Sequence, residues 1–145
     1  MCNNNENNKN CQCIAEILTV ISILQQNANN CSDACLDTCD RGFLGTSCAA
    51  LGFNTRPITL YLCGSNNEAL AMPTSREDVT GETTSTVFRV EKIDGCCATF
   101  RVLAPNPDTT QVATIPYVST NSFFTVNLNC VCLLRCLQDT YVECI

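Results

Sequence analysis

Histidine and tryptophan are absent from this chain. Without histidine there is no default general base near neutral pH, no imidazole ligand for a metal, and no Ser-His or Cys-His nucleophile pair. Basic residues are scarce, eight Lys and Arg against 14 Asp and Glu, for a formal charge of −6. That balance makes nucleic acid and anionic membrane surfaces poor partners. Long apolar runs are missing too. The longest, Ile14 to Leu24, is broken by Glu16, Thr19 and Ser22 and is too short and polar to span a bilayer. C-x-x-C, G-x-S-x-G, a phosphate-cradling glycine loop and a paired-carboxylate constellation are all lacking. No catalytic residue, cofactor site or metal set is assigned. The opening Met1-Cys2-Asn3-Asn4-Asn5-Glu6 has neither the basic nor the apolar region of a signal peptide.

What the chain has in excess is cysteine, 14 in 145 residues. That level normally marks small secreted scaffolds with too little core to fold unaided. A domain of this length can bury about two-thirds of its unfolded surface and needs no such rescue. The thiols therefore have work beyond propping up a weak core. Stable disulfides in a protein that is not exported are unusual. Either the thiols stay reduced and bind metal, or the protein is oxidised after it is made.

The sequence predicts one domain with a mobile arm. Residues 1–13 are Asn-rich, contain Cys2, Cys11 and Cys13, and hold little that can be buried. Residues 14–145 form the domain: a helix over about 14–26, a Cys-rich connector over 27–53, and β structure over 54–145. In the helix, Ile14, Ile17, Leu18, Ile21 and Leu24 recur at helical spacing, although the β-branched content keeps a strand open. Glu16, Thr19, Ser22 and Gln25 leave one narrow wet stripe, which implies burial on most sides, against the domain body or another copy. The connector carries Cys31, Cys35, Cys39 and Cys48.

Beyond Pro57 the period changes to two. Ile58, Leu60 and Leu62 form a half-buried strand, with Glu68 to Met72 as its return after a turn at Gly64 to Asn67. Residues 73–85 read as a surface loop. Around Asp94-Gly95, a three-residue loop pairs Phe88 with Val102 and Val90 with Phe100, keeping the apolar residues on one face. Arg89 then faces Arg101, with Glu91 placed to relieve the repulsion. Gln111 to Val118 is an edge strand. Phe124 to Leu128 is a last strand whose continuation puts Cys130 and Cys132 on the face of Leu128. The fold expected is mainly β, an antiparallel sandwich or barrel-like domain with an N-terminal amphipathic helix and a disordered Asn-rich arm.

The thiol spacings are Cys11-x-Cys13, Cys31-x3-Cys35-x3-Cys39, Cys96-Cys97 and Cys130-x-Cys132-x3-Cys136. Cysteines one or two residues apart on a strand do not readily close on each other, so each needs a partner elsewhere. Three thiols on a mobile arm suit bonding between chains. The candidate disulfide and cross-linking residues are Cys2, Cys11, Cys13, Cys31, Cys35, Cys39, Cys48, Cys96, Cys97, Cys130, Cys132, Cys136 and Cys144. Cys63 and Cys130 are also candidates for small buried hydrophobes. A cytosolic thiolate metal module is the alternative, with Cys31/Cys35/Cys39 and Cys132/Cys136 nearest to ligand spacing. The arginines read as solvated strand-face or loop residues.

Three segments carry a resemblance: Asn54-Thr55-Arg56-Pro57-Ile58-Thr59-Leu60-Tyr61, the hairpin from Phe88 to Leu103, and Thr125 to Leu137 with its C-x-C-x3-C-L ending. With the early C-x-C and the apolar helix, the chain resembles the CotY/CotZ/ExsY family of cysteine-rich spore coat and exosporium proteins over most of its length. The resemblance implies a structural protein, not an enzyme and without a cofactor. Its expected partners are itself, as a hexamer extending to a two-dimensional lattice, and other spore coat or exosporium proteins. It implies location at the spore surface, in coat, crust or exosporium, after synthesis in the mother-cell cytoplasm without a signal peptide, with oxidation as assembly matures. Cys11, Cys13, Cys31, Cys97, Cys130, Cys132 and Cys136, with Cys96, are the thiols on the family pattern.

Overall fold

The computed structural model of the chain describes residues 11–29, 53–112, 115–143 and 145. Its helix, α1 (Gln12–Asn29), runs further than the expected 14–26 at both ends. Residues 27–29 of the expected connector are thus helical, while residues 1–10 of the arm and residues 30–52 lie outside the described part. Leu18 and Ile21 are fully buried, with Ile14 packed beside them. Gln25, expected on the wet stripe, is buried as well. Its Nε2 donates to the Val90 carbonyl at 2.9 Å, and its Oε1 accepts the Arg56 N–H at 3.1 Å. A long amide can lie at a packed interface when both its ends are satisfied.

The strands are β1 (Ile58–Leu62), β2 (Met72–Pro73), β3 (Thr84–Ser85), β4 (Val87–Asp94), β5 (Cys97–Pro105), β6 (Tyr117–Asn127) and β7 (Val131–Cys136). The fold is mainly β and antiparallel, with one N-terminal helix. Five strands form a sheet in the order β6-β5-β4-β1-β7, and β2 and β3 form a separate ribbon. Ser122 Oγ of β6 donates to the Pro73 carbonyl at 2.7 Å and ties the ribbon to the sheet. The ribbon comes from a stretch expected to be loop. The expected return strand at Glu68 to Met72 contributes one early bond to β1, Leu70 N–H to the Leu60 carbonyl at 2.7 Å. Asn66 and Asn67, both in the left-handed region, turn the chain between them.

The β4–β5 hairpin keeps the expected pairs Phe88 with Val102, Arg89 with Arg101, and Val90 with Phe100. It reaches them differently. Asp94 pairs with Cys97 across a two-residue loop, Gly95-Cys96, and a bulge between Val90 and Lys92 restores the face. Gly95 takes the positive φ, 59°, that a tight hairpin needs at its first loop position. Past the bulge, Ile93 faces Ala98 rather than lying beside Cys97, and packs on the core.

The expected strands at Gln111 to Val118 and at Phe124 are one element, β6, starting only at Tyr117. It does not continue through Cys132. A 3-10 turn, Leu128–Cys130, interrupts it, with the Asn127 side chain accepting the Asn129 N–H at 3.0 Å. Those three residues carry the chain from one edge strand to the other. The Leu128 N–H donates to the Cys96 carbonyl at 2.7 Å, and the Cys63 N–H donates to the Cys130 carbonyl at 2.9 Å. Three residues reach about 10 Å at most. The two edges therefore converge there, and the sheet curls around one interior.

That interior holds Ile58, Leu60, Phe88, Val90, Phe100, Leu128 and Val131, closed by Leu18 and Ile21. Phe124 lies between Phe88 and Phe100, with ring centroids at 4.8 and 5.4 Å, edge-on to one and stacked on the other. On the opposite sheet face, Glu91 bridges the facing arginines at 3.0 Å to Arg89 and 2.9 Å to Arg101. Arg89 is not solvated as expected. It is 3% exposed, its Nε donating to Thr55 Oγ1, and its pKa is lowered by desolvation.

Candidate cross-linking thiols

Eight cysteines fall among the described residues, and the fold divides them into bonded and free. Cys11 precedes α1 and its carbonyl accepts the first helical bond, from Ala15 N–H at 2.9 Å. This is the N-cap position, where Ser, Thr, Asp or Asn would normally supply a side-chain oxygen. Here the side chain turns inward and is bonded to Cys96 at the hairpin tip, with Cα atoms 5.8 Å apart. Cys11 is 2% exposed. The expectation that residues 11–13 belong to a free arm is thereby corrected for Cys11: an apolar helix packed on the hairpin brings its sulfur within bonding reach.

A second bond joins Cys63, just past β1, to Cys132 in β7, with Cα atoms 5.0 Å apart. The antiparallel β1–β7 ladder, through Leu62 and Val131, brings them together. Cys63 was expected as a small buried hydrophobe, and that too is corrected. Cys130, given the same alternative reading, is also disulfide-bonded. No spacing signal could have matched Cys63 with Cys132, because their proximity follows from strand pairing 69 residues apart.

Three cysteines remain free and exposed: Cys13, Cys97 and Cys136. Cys13 and Cys97 flank the Cys11–Cys96 bond, two residues and one residue away in sequence. Cys136 ends β7 at an edge of the sheet and pairs with Ile58; β4 and β1 separate it from Cys97 on β5. It lies near Arg56, whose pKa is raised chiefly by a hydrogen bond to Asp139, with a smaller contribution from the Cys136 thiolate. The Arg56–Asp139 pair is bidentate, at 2.6 and 2.8 Å, and it holds the Asp139 carboxyl below the ordinary range. Among the described residues no three His, Cys, Asp or Glu side chains are grouped to hold a metal. Among them, too, no helix is long and apolar enough to cross a membrane. Cys2, Cys31, Cys35, Cys39, Cys48 and Cys144 lie outside the described residues.

Thiols bonded within the chain, three exposed thiols left free among the described residues, and a curled antiparallel sheet under one helix are what the residues build. The family model for spore coat protein Z matches residues 1–139. The chain belongs to that spore coat family. None of the curated proteins and none of the solved structures matches it. Membership carries a structural role in the spore coat, and the disulfides of the fold agree with it.

Proposed function

We propose that the protein is a structural subunit that assembles with copies of itself into disulfide-cross-linked oligomers, hexamers extending to a two-dimensional lattice, in the outer layer of bacterial endospores. The observation that carries this reading is the division of the thiols. A domain already closed by internal disulfides still presents Cys13, Cys97 and Cys136 to solvent. Exposed thiols are the accessible ones in exchange with a disulfide. Their placement on α1, on β5 and on the edge strand β7 gives one subunit more than one direction in which to bond. Other coat or exosporium proteins are further partners under the same reading, and no catalytic step is assigned.

The test starts from purified, reduced chain oxidised with a small-molecule disulfide. Electron microscopy is expected to show oligomers and ordered sheets. A non-reducing gel is expected to show a ladder that collapses with reductant. A monomer that stays monomeric after oxidation overturns the reading.

A further inference from the structure

The helix α1 carries two apolar rows, and the domain uses one. Ile14, Leu18 and Ile21, continued by Gln25, face the core. Roughly 100° around the helix lies a second row, Cys13, Ile17, Val20 and Leu24, spaced four, three and four residues apart. Ile17, Val20 and Leu24 are 42, 56 and 47% exposed, and Cys13 is exposed and free. Spacing of three and four is that of a two-helix seam, in which each row inserts between the residues of an identical partner. We propose that a second copy of this chain docks on this row with its own α1 parallel, so that Cys13 meets Cys13 of the second copy and the two are joined by a disulfide. The proposal rests on the self-assembly reading above and names one of its contacts.

Three observations select a second copy as the occupant. The row is self-complementary in spacing. Glu16 is the helix's one charged residue, so two copies bring no row of like charges together. The exposed apolar surface of Ile17, Val20 and Leu24 is roughly 300 Å², well short of the roughly 800 Å² per partner of a stable interface. A pair this small does not persist unaided. A bond at its end makes it permanent, and a free thiol stands there. The parallel direction follows from that thiol, because an antiparallel pair places Cys13 against Leu24.

The chemistry balances with a small disulfide, RSSR, as oxidant. One Cys13 thiolate attacks RSSR, forming a mixed disulfide and releasing RS⁻. The Cys13 thiolate of the second copy then attacks the Cys13 sulfur and releases the second RS⁻. The two thiol protons end on the two RSH products.

The experiment uses full-length chain, a mixture of isotopically light and heavy protein, oxidised with glutathione disulfide. Mass spectrometry of digests is expected to show light–heavy peptides joined through Cys13. Val20→Glu places two carboxylates across the seam and is expected to slow formation of that link by about tenfold or more, since like charges facing across an interface oppose association strongly. The variant's circular dichroism and thermal unfolding serve as the folding control, and Ile17→Glu is the second seam variant if Val20→Glu is perturbed. Mixing Val20→Glu with Val20→Lys chains is expected to restore mixed links, because position 20 meets position 20 in a parallel pair. An unchanged rate in folded Val20→Glu, a Cys13 bonded only within its own chain, or rescue by Ile17→Lys in place of Val20→Lys each overturns the proposal. Ordered sheets with no Cys13 link sink the seam and leave the self-assembly reading standing. Cys13-linked pairs that never extend to sheets support the seam and count against the lattice.

Discussion

Cys96 and Cys97 are adjacent in sequence and opposite in fate. Cys96 closes the hairpin tip onto the helix start, while Cys97 opens β5 facing solvent. Cys11 and Cys13 repeat the contrast at the other side of the same bond. The lesson is geometric. Cys96 is the second residue of the hairpin loop and Cys97 the first of β5, so the doublet straddles the junction: the loop residue packs against the core and bonds Cys11, and the strand residue is exposed. A doublet that looks redundant in sequence thus yields one internal staple and one thiol for outside use.

The contrast predicts unequal consequences. Replacing Cys11 and Cys96 together by Ala removes the bond and is expected to lower stability by about 2–4 kcal/mol. Cys97→Ser, a change at the surface, is expected to stay within about 0.5 kcal/mol. Urea unfolding without reductant measures both. Equal losses would break the division, since they would mean that Cys97 also holds the domain together.

The Cys11–Cys96 and Cys63–Cys132 bonds offer a finer comparison. They close loops of 85 and 69 residues. If disulfides act by restricting the unfolded chain, those lengths differ in effect by only about 0.2 kcal/mol. Replacing Cys63 and Cys132 by Ala is therefore expected to match the first double variant closely. A much smaller loss would show that the β1–β7 ladder already fixes that end, and that the hairpin–helix bond is the principal staple.

How much of this was visible in sequence depends on range. The pairing of Phe88 with Val102 was legible because a single slip would have reversed every apolar residue. Arg89 facing Arg101, with Glu91 between, followed from the same register. Gln25 was misread because its partners, the Val90 carbonyl and the Arg56 N–H, are remote in sequence. The β6 break was missed because Leu128 keeps the alternation of the strand while its backbone turns to the Cys96 carbonyl. The thiol set was legible as a group, and its neighbours' inability to self-close was legible from spacing. The assignment of Cys11 inward and Cys13 outward was not, since it depends on which helix face meets the hairpin.

The smallest effect concerns the surroundings of the free thiol at the opposite sheet edge. Asp139 is held below its ordinary pKa by Arg56, so the folded state favours its charged form. A carboxyl lowered in the folded state stabilises the domain above its unfolded pKa, about 3.9. That contribution is lost as pH falls through the lower folded value. Both side chains are about a third exposed, at 35 and 37%, so solvent screens the pair and its worth stays below about 1 kcal/mol. Asp139→Asn is expected to lower the urea midpoint slightly at pH 7 and to lose the difference from the native protein at acid pH. The oxidation rate of Cys136 at neutral pH is the companion measurement. Without Asp139 the Arg56 guanidinium loses its bidentate partner, so the surroundings of Cys136 change while those of Cys97, beyond β1 and β4, do not. A changed rate at Cys136 in Asp139→Asn, with Cys97 unchanged, would show that the exposed thiols differ in reactivity as well as position.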